Sequence, residues 1–263
     1  NPIKKGKGPF EIENLGAFCK NLTQDKFYVT DITNGRLIVF STDGNALREK
    51  TIPTTYNLNM TALDNDLLLA PGLLLNKSAR TDSNYPIALF IDNINMQITD
   101  TLFFNLLELN IQNIPDVNKL NVFELRPYPV LLDSNTIFLT FEGLEGAYLV
   151  DRNSNILSEA KFDIPNYEGI FVQNHPIYGF GQAIFSVSND HVLIDDTIYL
   201  AFGHKSRNIP HGLSQIRISG RSISEVQTYT IADSISLMNE FRISVFKNDV
   251  YTSAGTGFVK LNQ

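Results

Sequence analysis

One module recurs along the chain, and it limits the fold more than any other feature. An Asn or Asp and one polar residue lead into an apolar, β-branched or aromatic run. A loop, a second run and a short polar turn follow. The copies are DKFYVTDITNGRLIVFSTDGNAL from Asp25, NDLLLA…YPIALFIDNINMQI from Asn65, NTIFLTFEGLEGAYLVDRNSNIL from Asn135, DTIYLAFGHKSRNIPHGLSQIRISGRSIS from Asp196 and NDVYTSAGTGFVKLN from Asn248. The first four continue into a third strand. Strand-favouring Phe, Tyr, Val, Ile and Thr dominate the runs. The turns TDGN (42–45), DNIN (92–95), DRNSN (151–155) and SGRS (219–222) use Asn, Asp and Gly, which tolerate the positive φ of tight hairpins.

A short apolar segment precedes each module: Gly16–Lys20, Asn59–Leu63, Tyr128–Asp133, Gln182–Ser188 and Phe241–Phe246. Each reads as an innermost strand. Four antiparallel strands per repeat, at a period of roughly 40 to 70 residues, describe β-propeller blades. A β-sandwich could hold similar hairpins but does not require the same four-strand order repeatedly. The expectation is an all-β fold, a single β-propeller domain over residues 1–263 with four-stranded antiparallel blades. Five blades are counted, or six if one is hidden in 101–127. The stretch Thr101–Pro127 breaks the rhythm and reads either as an outer strand running into a short helix or as an irregular insertion. The last module is short, so Asn1–Lys5 is expected to supply its missing outer strand and shield the open edge.

The chain has 263 residues and a formal net charge of −7, which speaks against nucleic acid as a partner. Its one cysteine, Cys19, rules out an internal disulfide or a cysteine metal cluster and reads as a small buried hydrophobe. No run reaches the ~20 apolar residues of a membrane-spanning helix, and Leu67–Leu75 is interrupted by Pro71 and Gly72. The start at Asn1-Pro2, with no Met and no apolar leader, reads as a mature or trimmed chain. Sequons stand at Asn21, Asn59 and Asn76 and carry little weight in an Asn-rich chain.

The opening stretch, with Gly6, Gly8, Pro9 and Glu11 followed by Asp31, Asn34, Arg36 and Phe40, resembles the TolB-like six-bladed propeller family of bacterial exported proteins and lipoproteins, and is similar to NHL-type repeats. The likeness is specific over roughly the first 45 residues. It implies an exported propeller, periplasmic or on the outer surface, with a lipid anchor on the full-length precursor. Members of the family generally lack an assigned activity, so the resemblance implies no catalytic residue.

Gly6-Lys7-Gly8 is no phosphate loop, because Pro9 removes an amide donor and no helix follows. The most distinctive polar loop, Gly203–Gly212, gathers His204, Lys205, Arg207 and His211, a set that suits an anion or carboxylated ligand. His175 and Tyr178, before the fourth blade, could face the axial opening. The seven-residue spacing of His204 and His211 does not specify a metal site, and no cofactor is expected. Asp31, Glu142, Glu145, Asp195 and Asp196 are candidates for a glycosidase-like arrangement. Asp31, Asp195 and Asp196 also read as turn formers, and the chain lacks Trp for sugar stacking, although its ten Tyr could substitute. The reading is a non-catalytic binding or scaffold propeller of the bacterial cell envelope, with an unknown small polar ligand or protein partner. The alternative is a hydrolase acting on a small polar or carbohydrate substrate in the axial cleft. A third possibility uses the loops of Thr101–Pro127 as a protein-interaction platform.

Overall fold

The structure, a computed structural model, describes residues 4–21, 23–52, 57–71, 84–105, 127–141, 146–162, 164, 188–204, 209–230, 243–246, 249–254 and 257–260. Among the described residues the regular structure is all strand. The first sheet is β1 (Leu15–Lys20), β2 (Lys26–Asp31), β3 (Arg36–Ser41) and β4 (Ala46–Thr51). The second is β5 (Asn57–Leu63), β6 (Asp66–Pro71), β7 (Asn84–Asp92) and β8 (Gln97–Asn105). The third is β9 (Pro127–Leu131), β10 (Thr136–Phe141), β11 (Gly146–Asp151) and β12 (Ile156–Lys161). The fourth is β13 (Ser188–Ile194), β14 (Thr197–His204), β15 (Ile209–Ser219) and β16 (Ser222–Thr230). The fifth has three strands, β17 (Ile243–Phe246), β18 (Asp249–Ala254) and β19 (Gly257–Lys260). Strands lie side by side in chain order in every sheet, so each is an antiparallel meander. The chain divides into two compact units, residues 1–111, 126–139 and 150–155 in one and 112–125, 140–149 and 156–263 in the other.

The apolar runs become the middle strands, as their composition requires. Leu67, Leu68, Leu69 and Ala70 on β6, and Ile137, Phe138 and Leu139 on β10, are all 0% exposed. Unbroken apolar runs of this kind are buried on both faces. The outer strand ALREKT (β4) is exposed nearly throughout, and its charges guard a free edge. Ala17, Tyr28, Leu37, Val39 and Ile52 of the first sheet interlock with Met60, Ala62, Leu67, Leu69, Ile91 and Met96 of the second, and Cys19 packs against them.

The β2–β3, β7–β8 and β11–β12 turns follow one rule. An aspartate at a strand end accepts backbone and Asn side-chain N–H groups just downstream. Asp92 accepts from Ile94 N (2.8 Å) and Asn95 Nδ2 (2.6 Å), and Asp151 from Asn153 N (2.9 Å) and Asn155 Nδ2 (2.8 Å). Between the first two strands of a sheet, Leu63 pairs with Asp66 around Asp64, whose φ is 50°. Ile194 pairs with Thr197 around Asp195, whose φ is 52°.

That second hairpin corrects one expectation. The partner of β14 is Ser188–Ile194, not Gln182–Ser188. The strand must run directly into the Asp195-Asp196 turn, and the hairpin register overrides the more apolar segment upstream. Residues 182–187 lie outside the described residues, as do 106–126, where a sixth blade was allowed for. The stretch before them is β8, an outer strand. Of the expected closing strand, residues 1–3 lie outside the described residues. Lys5 forms a parallel bridge to Ile12, whose N–H donates to Lys4 O at 2.9 Å.

Candidate ligand-binding ledge

The polar residues of the opening stretch converge on Asp31. Its carboxylate, fully buried, accepts from the backbone of Glu13 and Asn14, from Asn34 Nδ2 at 2.7 Å and from Arg36 Nη2 at 3.1 Å. Arg36 also donates to Gly8 O (2.9 Å) and Glu11 O (2.6 Å), while Glu11 Oε2 accepts from Gly8 N at 2.9 Å. A Cβ at Gly6 would strike the Glu11 carboxylate. Burial alone would raise the pKa of Asp31, but the hydrogen bonds from Asn34, Glu13, Arg36 and Asn14 win and hold it well below the usual carboxylate range. The residues that carry the family resemblance therefore fasten the N-terminal stretch to the first sheet. Asp31, saturated with donors, has no lone pair to spare for acid–base work.

Asp195 and Asp196 are likewise structural. They make the β13–β14 turn, with Asp196 accepting from Thr197 Oγ1 (3.0 Å) and, through its carbonyl, from Ile218 N (2.7 Å). Glu142 and Glu145 lie outside the described residues. So do Lys205, Arg207, His175 and Tyr178. His204 ends β14, opposite Ile209, and His211 lies on β15 next to Gly212, which pairs with Phe202. The backbone thus brings His204 and His211 to the same end of the fourth sheet.

A shallow groove of about 130 Å³ lies toward the other end of that sheet, lined by Thr197, Gln215, Arg217, Glu225 and Gln227. Register explains the lining. Thr197 pairs with Arg217 and Arg217 with Glu225; Tyr199 pairs with Gln215 and Gln215 with Gln227. Paired residues point to the same face. Tyr229, opposite Leu213, extends the ledge and is 49% exposed. The other face carries Ile198, Leu200, Ser214 and Ile216, all buried.

The ledge is a chain of donors and acceptors. Arg217 Nη1 lies 3.2 Å from Glu225 Oε2, Gln227 donates to Glu225, Tyr229 donates to Gln227, and Gln215 Nε2 donates to the Tyr199 hydroxyl at 3.0 Å. At 130 Å³ the groove is smaller than the ~300–1,000 Å³ clefts that enclose drug-sized ligands. It can hold one face of a ligand. Sequence reasoning passed over these residues in favour of the histidine loop. The alternation in SQIRIS (214–219) and SEVQTY (224–229) was the available signal.

Solved structures share this arrangement of sheets. A protein inferred to be exported, from Bacteroides fragilis, aligns over 95% of this chain and 69% of its own, with a TM-score of 0.58 and 14% identity. The WD40 repeats of RRP9 align over 92% and 60%, with a TM-score of 0.51 and 10% identity. The fold is a β-propeller. A streptogramin B lyase is similar at a TM-score of 0.50 and 13% identity, over 94% of this chain and 64% of the lyase. The chain spans about three fifths of the length of several such propellers. No family model matches the sequence, and no curated protein does. Among the described residues, no group of three or more His, Cys, Asp or Glu is placed to hold a metal, and no helix is long and apolar enough to cross a membrane.

Proposed function

We propose that this propeller is a non-catalytic binding module of the bacterial cell envelope, folded as one domain over residues 1–263, and that a small polar ligand docks on the ledge of β14–β16. The observation that carries the reading is the open row of Thr197, Gln215, Arg217, Glu225 and Gln227, polar side chains gathered on one sheet face. The structural duties of Asp31, Asp195 and Asp196 support a binding role over a hydrolytic one. The likeness to an exported propeller supports the envelope location.

A thermal-shift screen of polar small molecules tests this. At least one compound should raise the melting temperature of the wild type and fail to do so with Arg217→Ala. Ligand binding lost instead in a His204→Ala/His211→Ala double variant would move the site to the histidine loop. Turnover of chromogenic glycosides by the purified chain would overturn the non-catalytic reading.

A further inference from the structure

Resting on the ledge as a binding surface, we infer that its ligand is a carbohydrate, an uncharged pyranoside lying flat across β15 and β16. The charges point that way first. Arg217 and Glu225 cancel, so the ledge has no excess charge to select a phosphate, a carboxylate or an amine. Donors and acceptors alternate instead. A hydroxyl group both donates and accepts, and a sugar presents several of them on adjacent carbons.

The exposed Tyr229 supplies the apolar part. Its ring offers a flat surface for the C–H face of a pyranose, the role that Trp fills in many sugar clefts and that this chain must assign to Tyr. The dimensions agree. Three strands and three alternate rows span roughly 10 by 14 Å at ordinary strand spacing, room for a mono- or disaccharide on an open surface.

Stability does not account for the same residues. An ion pair as exposed as Arg217–Glu225, with side chains 55% and 41% accessible, contributes about 0–1 kcal/mol. Gln215 and Gln227 stand where β-branched residues would favour the strand more.

The test is an array of neutral mono- to tetrasaccharides probed with the whole chain, followed by calorimetry with the best soluble sugar. At least one pyranoside should bind. Tyr229→Ala and Arg217→Ala should each weaken it about tenfold, while Tyr229→Phe, which keeps the ring, stays close to wild type. Unchanged melting temperatures in the three variants confirm that binding, not folding, is being read. Sugar binding that ignores Tyr229→Ala and Arg217→Ala overturns the inference. A blank array together with an Arg217-dependent, non-sugar hit in the thermal-shift screen also overturns it, and leaves the binding module standing. Blank results in both remove both.

Discussion

Asp31 and Arg36 show how much one pair of residues organises. Removing Arg36 leaves a buried carboxylate facing no cation and frees the Gly8 and Glu11 carbonyls. Breaking a buried pair in this way costs about 3–5 kcal/mol, so Arg36→Ala should lower the urea midpoint sharply. The pH dependence follows from the depressed pKa of Asp31. The stabilisation is complete above the ordinary carboxylate pKa, about 4, and is lost as pH falls from there toward the folded value. Denaturant titrations at pH 7, 4 and 3 should show a steeper loss in wild type than in Asp31→Asn. Equal slopes would mean that Asp31 is not the titrating group. Asp31 was visible in the sequence as a turn former, because Asp-x-x-Asn is a local pattern. Its grip on Glu13 and Asn14 was not, since that depends on a chain reversal whose geometry no spacing encodes.

Hairpins were the legible level of structure, and the fourth sheet marks where legibility stops. Turn chemistry at Gly220, whose φ is 58°, places Ser219 opposite Ser222. Strict alternation from there would set Arg217 against Ser224. A bulge intervenes, Ile218 pairs with Ile223, and Arg217 meets Glu225. The bulge absorbs Ser224 and so lets Glu225 and Gln227 share a face with Arg217 and Gln215, and bulges leave no compositional mark in a strand this polar. Deleting Ser224 should leave the ladder in register and keep the ledge. Deleting Val226 should turn Gln227 and Tyr229 toward the other face. Ligand binding retained in the first variant and lost in the second is the expected result. Gly212 sets a second constraint, because a Cβ there would strike the Phe202 ring and the Tyr229 carbonyl. Overpacking of this kind costs roughly 1–3 kcal/mol, so Gly212→Ala should lower the melting temperature by several degrees, a change that differential scanning calorimetry will detect.

At the scale of the molecule, specific polar contacts that the sequence did not announce fasten the second sheet to the first and to the third. Arg152 reaches from the third sheet to Asp66 on the second, with two contacts at 3.2 Å, and covers the Phe90 ring at 4.1 Å. Asn21, fully buried, donates to Asp64 O at 3.0 Å and accepts from Thr23 and Gln24. Asn21→Ala should therefore destabilise by on the order of 3 kcal/mol, measured by urea unfolding, and the folded chain should take no glycan at this sequon. The blade rhythm was readable because each sheet is a meander of neighbours in sequence. The fasteners join residues 43 and 86 positions apart, which periodicity does not see.

Cys19 lies against the core shared by the first two sheets, and burial pushes its thiol well above the ordinary range. It is the only thiol in the chain. Half-buried there, it reports on a single seam, with no second sulfur to confuse the count. Iodoacetamide labelling followed by mass spectrometry should be slow in native buffer and rapid in urea, and the ratio of the two rates measures how far this seam protects Cys19. Equal rates would mean that the seam stands open. A residue with no chemistry of its own thus equips the protein with a one-site gauge of its own breathing.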